Sequence, residues 1–412
     1  MSNKDKPSRR DVLRWTAATG VSPLAATTGW AQSPHQSSDA RVKSFRTLGR
    51  TGLKISDISF GTARLRNGEE DLIYHALDRG INYFDSAYGY TRGVSEQVLG
   101  KALKGRRDQI YLVSKTETEA DWPASRMMSE LDESLRRMQT DYVDVYMCHA
   151  VNDVNRIKSP EWHNFVTRAK EQGKIRFVGI SGHAGRLIDC LDYALDEDMV
   201  DVILAGYNFA QDPGFLDSLS VITGRINWVA RQPDLPRVLA KAKKLNVGTI
   251  AMKTLQGARL NDMRPYERNG STFAQAAFRW VLANSNIDAL VVTMTGKDQI
   301  DEYLGASGAN SLAYGDIELL RHYALLQSSS YCKHGCNDCA DACPAGVEIS
   351  EVLRTRMYAT DYGDVAFAKD EYSRIKNNAS ACLSCSGAPC QDACTHGISI
   401  NTFCGPTHNM LA

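Results

Sequence analysis

The sequence predicts an α/β protein, a closed (β/α)8 TIM barrel followed by a small α-helical C-terminal domain. One observation is that eight apolar runs of strand length alternate with longer amphipathic segments, which implies parallel strands joined by helical crossovers. Another is that strand-like runs stop near residue 331, and nine of the eleven cysteines lie between Cys332 and Cys404. The 412 residues suffice for one large domain and one small domain.

Eight segments carry the strand pattern, and a short hairpin over residues 45–54 precedes them. They are Ile58–Gly61, Tyr83–Asp85, Ile110–Lys115, Tyr142–His149, Phe177–Ser181, Val202–Tyr207, Val247–Met252 and Ala289–Thr293. Helical periodicity separates them, as in Asp71–Arg79, which Gly80 ends. A doubly wound open sheet is the alternative fold. The first strand has no Gly-x-Gly-x-x-Gly after it, which argues against that alternative.

The N-terminus resembles an export signal and is kept out of the fold prediction. Ser8-Arg9-Arg10 resembles a twin-arginine motif, an apolar stretch follows it, and Ala31 offers a cleavage position. A solvated basic N-terminus is the alternative. We expect a signal over residues 1–31, a linker over 32–44, the barrel over 45–328 and the C-terminal domain over 329–412. This signal implies the folded-protein export machinery as a partner and the periplasm as the destination, with no stable membrane span in the mature chain.

The balance of acidic and basic residues limits the kinds of binding partner that we expect. Lys plus Arg and Asp plus Glu number 48 each, so the formal net charge is zero. No global field favours nucleic acid, and we expect no nucleic-acid partner.

Reactive side chains follow three neighbouring predicted strands. Asp85 ends the second strand, with Tyr90 shortly after it, while Lys115 ends the third strand and His149 the fourth. In a barrel of this kind, chemistry lies at the carboxyl ends of the strands. Each residue alone is more often a structural ion pair or a packed core residue. As an ordered set on neighbouring strands they predict a catalytic site.

This ordered set resembles the catalytic tetrad of the aldo-keto reductase family. The matching motifs extend over roughly residues 45–325 and include Phe84-Asp85-Ser86-Ala87, Tyr90, Ser95-Glu96, Val113-Ser114-Lys115, Tyr146-Met147-Cys148-His149 and Val178-Gly179-Ile180-Ser181. The resemblance implies a small-molecule carbonyl or alcohol as substrate. Tyr90 would be the general acid and base, and we expect the Lys115 ammonium to lower the pKa of its phenol.

The same resemblance implies NADP or NAD as the hydride carrier. The positions that match the family's cofactor contacts, or that offer a basic group nearby, are Gly61, Thr62, Asp85, Ser181, Lys253, Lys297, Gln299 and Glu302. Four positions depart from the family pattern, with Gly182, Leu204, Met252 and Tyr303 where Asn, Gln, Tyr and Asn are usual. Lys297 is the expected partner of a 2′-phosphate.

Eight of the late cysteines form two tight runs. They are Cys332, Cys336, Cys339 and Cys343, then Cys382, Cys385, Cys390 and Cys394. The first run ends in Cys-Pro and resembles the bacterial ferredoxin pattern, which implies two 4Fe-4S clusters in a ferredoxin-like domain. Two zinc sites and a disulfide framework are the alternatives. Cys404 is left over.

Two functional hypotheses follow. The first is an oxidoreductase whose clusters exchange electrons with a redox partner protein. The second is an iron–sulfur electron-transfer protein whose barrel serves as a scaffold or docking domain.

Overall fold

Eight parallel strands close into a barrel in chain order, with the last strand paired to the first. The computed structural model describes residues 40–209, 232, 234–255, 263–267, 271–327, 332, 336 and 338–412. The barrel strands are β3 (Ile58–Gly61), β4 (Tyr83–Asp85), β5 (Tyr111–Thr116), β6 (Val143–Cys148), β7 (Ile175–Gly182), β8 (Val202–Gly206), β9 (Gly248–Met252) and β10 (Ala289–Thr293). Every predicted strand has its counterpart, and the barrel prediction is confirmed.

A short antiparallel hairpin, β1 (Phe45–Thr47) with β2 (Lys54–Ser56), closes one end of the barrel. Leu48 and Leu53 of this hairpin belong to the same buried cluster as the inward-facing strand residues Val145 and Ile250. The approach is close enough that a Cβ on Gly248 would lie 2.6 Å from the Leu48 side chain. Since this end is filled with apolar side chains, polar chemistry is confined to the opposite, carboxyl end of the strands.

Amphipathic helices form the outer layer and bury their apolar faces on the strands. They are α1 (Glu70–Asp78), α2 (Val94–Ala102), α3 (Ala124–Met138), α4 (Val154–Lys158), α5 (Pro160–Glu171), α6 (Leu187–Asp196), α7 (Leu235–Lys244), α8 (Phe273–Leu282), α9 (Lys297–Leu304) and α10 (Asp316–Gln327). In α3, Met127, Leu131, Leu135 and Met138 share one buried face, as helical spacing requires. Gln139 then ends α3 in the left-handed conformation.

The C-terminal segment is helical and has a core of its own. It contains α11 (Ile349–Thr360), α12 (Val365–Tyr372), α13 (Pro389–Asp392) and α14 (Ile400–Leu411). Val352, Ala368, Tyr372 and Cys404 are buried in this second core. The segment and the barrel nevertheless belong to one compact unit, Gln36–Ala412. The boundary at residue 328 stays a prediction.

The predicted signal and most of the predicted linker lie outside the described residues. Among the helices that the structure describes, none is both long and apolar enough to cross a membrane.

Candidate active site

A buried ion pair forms the base of the site. Asp85 ends β4 and Lys115 lies near the end of β5, the adjacent strand. Lys115 Nζ donates hydrogen bonds of 2.6 Å to Asp85 Oδ1 and 2.6 Å to the backbone carbonyl of Ser86. The two side chains are 0% and 5% exposed, so water does not screen the pair.

Tyr90 and His149 lie above this pair. Tyr90 opens a short 3-10 turn, Tyr90–Gly93, and its ring centroid lies 5.0 Å from Lys115 Nζ. The rings of Tyr90 and His149 meet edge to face with centroids 5.7 Å apart. All four predicted catalytic residues line one cavity of about 190 Å³. The structure therefore brings together side chains that come from three separate βα units.

Burial sets the protonation states in this cavity. The pKa of Tyr90 is raised well above its ordinary value, first by burial and then by the negative charges of Asp85 and Glu371. The expectation that the Tyr90 pKa is lowered is therefore wrong, because burial and the neighbouring negative charges raise it. Burial also raises the pKa of Asp85, against the opposing effect of Lys115, and lowers that of Lys115. Burial and the Lys115 charge lower the pKa of His149, so its imidazole is neutral near pH 7.

Five of the predicted cofactor residues line the cavity. They are Gly61, Asp85, Ser181, Lys253 and Gln299. Gln299 lies in the first turn of α9, so this wall extends from the tetrad to a helix N-terminus. Leu204 and Met252, which replace the family's Gln and Tyr, lie on the same wall.

The other three predicted cofactor residues are not among those lining the cavity. Thr62 is buried behind it and donates a 3.0 Å hydrogen bond to the Asp85 carbonyl. Lys297 forms an exposed ion pair of 3.3 Å with Asp71. The backbone carbonyl of Glu302 accepts a 2.8 Å hydrogen bond from Gln275 Nε2.

The cavity wall also includes residues that the sequence analysis missed, among them Arg64, Tyr358 and Tyr362. Both tyrosines come from the C-terminal segment. The Arg64 guanidinium lies 5.1 Å from the Tyr362 ring centroid and forms a 2.6 Å ion pair with Asp364. No periodicity or motif indicates that a helix some 270 residues after Tyr90 reaches the barrel mouth. Tyr358 lies on α11, and Tyr362 follows the end of that helix at Thr360.

The loop that bears Tyr90 is anchored from below by Arg137 of α3. Arg137 Nη1 donates to the Tyr88 carbonyl at 3.0 Å and to the buried Glu96 carboxylate at 3.2 Å. Gly93 ends this loop with φ +87°, and a Cβ there would lie 2.5 Å from the Arg137 guanidinium carbon. The loop therefore packs closely against the Arg137 guanidinium.

The cysteines of the two runs interleave in space. Cys332, Cys336, Cys339 and Cys394 line one small cavity beside Ile349 and Ile400. Cys382 lies near Cys343, Cys390 and Cys385. Burial raises the pKa of the Cys382 thiol, and these three neighbouring thiols raise it further. All eleven cysteines are free thiols, so no bridge supports the disulfide alternative. Within the described ranges, no group of three or more His, Cys, Asp or Glu side chains is positioned to hold a metal ion.

The fold and the four converging side chains define a barrel oxidoreductase, and comparison with known proteins identifies the family. Residues 57–269 match the model of the Aldo/keto reductase family. The chain belongs to that family and is an oxidoreductase enzyme. The match ends before the cysteine-bearing segment.

Two curated relatives and one solved structure are similar to the chain. L-galactose dehydrogenase of Arabidopsis thaliana is 31% identical over 281 residues, which are 63% of this chain and 87% of the relative. L-glyceraldehyde 3-phosphate reductase of Escherichia coli O157:H7 is 25% identical over 318 residues, with shares of 67% and 90%. The holo form of an aldo-keto reductase from Bacillus halodurans superposes with a TM-score of 0.53 at 23% identity, covering 68% and 95% of the two chains. This last likeness concerns the fold alone.

Proposed function

We propose that this oxidoreductase interconverts a carbonyl and an alcohol on a small molecule, with Tyr90 as the general acid and base. The observation that carries the proposal is the convergence of Asp85, Tyr90, Lys115 and His149 on one cavity. Reduction of a carbonyl requires a hydride at carbon and a proton at oxygen. The raised pKa of Tyr90 keeps its phenol protonated and therefore able to donate that proton.

The other three residues support this transfer. The buried Lys115 ammonium lies beside the Tyr90 ring and stabilises phenolate as it forms. Asp85 holds the ammonium in place through their 2.6 Å hydrogen bond. His149 is neutral and edge-on to Tyr90, so one ring nitrogen can donate to the substrate oxygen.

The cavity is suited to a nicotinamide cofactor, which supplies the hydride when bound. Gly61, Ser181, Lys253 and Gln299 would hold it, because they line the wall from the tetrad to the start of α9. Asp85 Oδ2 is buried and has no hydrogen-bond partner among the described residues, so it can accept from a hydroxyl donor that enters the cavity. We favour NADP over NAD, with Lys297 as the partner of the 2′-phosphate. A Lys297→Ala variant that weakens NADPH and NADH binding equally would contradict that choice.

We also propose that the eight clustered cysteines hold two 4Fe-4S clusters in a crossed arrangement. Cys332, Cys336 and Cys339 would share one cluster with Cys394, because these four line one cavity. Cys382, Cys385 and Cys390 would share the other with Cys343, whose thiol neighbours theirs. Four thiolates around each cluster are the usual ligand set for 4Fe-4S iron. Such clusters would exchange electrons with a redox partner protein. Colourless protein that contains zinc would contradict the proposal.

The N-terminal pattern supports export of the folded protein to the periplasm by the twin-arginine machinery. Replacement of Arg9 and Arg10 by lysine should retain the precursor in the cytoplasm. Unchanged delivery to the periplasm would contradict this route.

An electron-transfer protein with a scaffold barrel is the second candidate. It is favoured by Leu204 and Met252, which line the cavity where the family has a Gln and a Tyr for nicotinamide. Under this candidate the clusters carry the function and Tyr90 has no role in turnover.

The variant Tyr90→Phe separates the two candidates. The assay uses the substrates that name the two relatives, with L-galactose for oxidation by NAD or NADP and L-glyceraldehyde 3-phosphate for reduction by NADPH. We expect Tyr90→Phe to lower kcat by roughly 10²-fold or more, since a positioned acid contributes about 10²–10⁴-fold. Tyr88→Phe is the matched control on the same loop. Equal turnover in Tyr90→Phe and wild type would contradict the reductase mechanism.

A further inference from the structure

We infer that Arg374 and Asp370 of the C-terminal segment are positioning residues for Tyr90, so that the cysteine-bearing segment is part of the reductase active site. This inference rests on the proposed role of Tyr90 as the proton donor. The C-terminal segment would then support proton transfer by Tyr90, separately from any electron transfer.

The contacts fall on both sides of Tyr90. Arg374 Nη1 donates a 2.6 Å hydrogen bond to the carbonyl of Gly89, the residue before Tyr90. Arg374 Nη2 donates at 2.5 Å to Asp370, and Asp370 also forms an ion pair with Arg92, two residues after Tyr90. One pair of side chains therefore contacts the loop before and after the catalytic phenol.

The loop between these contacts has a backbone that needs external support. Thr91 and Arg92 have φ values of +47° and +55°, the left-handed region that side chains with a Cβ disfavour. From the barrel, Arg137 donates to the Tyr88 carbonyl at 3.0 Å, and Thr91 Oγ1 donates to the Leu65 carbonyl at 3.1 Å. The Gly89 carbonyl accepts from the Arg92 N–H at 3.2 Å within the loop, and Arg374 adds the contact from outside the loop.

The segment is itself attached firmly enough to serve this purpose. Asp364, at the N-terminus of α12, forms a 2.6 Å ion pair with Arg64 of the barrel. Glu371 forms a 3.1 Å ion pair with Arg354 of α11. On its other side, α12 buries Ala368 and Tyr372 in the core that contains the cysteines. The helix thus connects the cysteine core to the Tyr90 loop.

The test compares Arg374→Ala, Arg374→Lys and Asp370→Asn with wild type in the full chain, purified anaerobically. A displacement of Tyr90 by about 1 Å should lower kcat by roughly 10²-fold. We expect the KM for the substrate and the Kd for NADPH to change less than about threefold, because the segment contacts neither by this route. Arg374→Lys should recover part of kcat, since its ammonium can still donate to the Gly89 carbonyl.

Amide hydrogen exchange should rise in the peptide 86–94 of Arg374→Ala. The pH profile of kcat should also shift, because a displaced Tyr90 would differ in burial and in its distance from the charges that set its pKa.

The matched control is Arg356→Ala. Arg356 lies on α11, where its guanidinium is 4.4 Å from the Phe403 ring centroid within the segment. It should leave kcat and the exchange of peptide 86–94 unchanged, and visible absorbance of each variant checks that the cysteine domain is intact.

Wild-type kcat, pH profile and loop exchange in both Arg374→Ala and Asp370→Asn would overturn the inference. That result differs from failure of the proposed function, in which Tyr90→Phe itself retains full turnover. If Tyr90→Phe is inactive while Arg374→Ala equals wild type, only the positioning role is refuted.

Discussion

Lys115 Nζ lies 2.6 Å from Asp85 Oδ1 in the barrel interior, where neither side chain meets appreciable solvent. Removal of one partner leaves an uncompensated buried charge, which costs more than the pair itself contributes. We expect Lys115→Met to lower the free energy of unfolding by about 3–5 kcal/mol in urea titrations, and to abolish turnover. The double variant Lys115→Met/Asp85→Asn should recover stability without recovering activity. A double variant no more stable than Lys115→Met would contradict the paired-charge account.

The pH dependence follows from the directions of two pKa shifts. The pKa of Tyr90 is raised above its ordinary value of 10.0, so the phenol that donates in reduction persists as pH rises through that value. The pKa of His149 lies well below its ordinary 6.5, so the imidazole stays neutral as pH falls through 6.5. We therefore expect kcat for reduction to show no titration of His149 near pH 6.5 and none of Tyr90 near pH 10, so that a fall at alkaline pH would belong to Lys115, whose pKa is lowered by burial. Steady-state rates in both directions check this, and loss of reduction with a midpoint near 6.5 would refute a neutral His149.

Gly93 offers a test of the loop anchor at Arg137. Gly93→Ala places a Cβ 2.5 Å from the Arg137 guanidinium carbon, whereas a Cβ on Gly105 has no neighbour within 4 Å. Both glycines have positive φ, so Gly105→Ala carries the backbone strain without the clash. The excess effect of Gly93→Ala should be a loss of about 1–3 kcal/mol in unfolding free energy, because displaced Arg137 leaves buried Glu96 short of a partner. A lower kcat should accompany it, and equal behaviour of the two variants would show that Arg137 does not anchor the loop.

The barrel and the tetrad could be predicted from the sequence because both depend on local signals. Apolar runs such as Ile58–Gly61 mark strands, and strand ends meet at one face of a barrel, so Asp85 and Lys115 had to converge. The wall formed by Tyr358 and Tyr362 could not be predicted, because it depends on how a distant helix docks. The predicted lowering of the Tyr90 pKa is also wrong. Its direction depends on how deeply the phenol is buried in the folded protein, which residue spacing in the sequence does not indicate.

If the proposed clusters have crossed ligands, double variants will show which cysteines share a cluster. Cys394→Ser should remove about four of about eight irons, and Cys394→Ser/Cys339→Ser should lose no more. Cys394→Ser/Cys390→Ser should lose both clusters, as judged by iron content and by electron paramagnetic resonance of the reduced protein. Cys190→Ala in the barrel is the control and should retain all the iron. If Cys394→Ser/Cys390→Ser matched Cys394→Ser alone, the second run would hold its own cluster without crossing.

The proposed nicotinamide site beside Tyr90 is tested most directly by an anaerobic titration of the purified protein with NADPH and with NADH. Nicotinamide fluorescence reports the binding, and absorbance of the same sample reports the clusters. The account predicts saturable binding of one nucleotide per chain, tighter for NADPH, with Lys253→Ala weakening it because Lys253 lines the cavity. Absence of binding by either nucleotide, in protein whose clusters are intact, would contradict the reductase account and favour an electron-transfer protein built on this barrel.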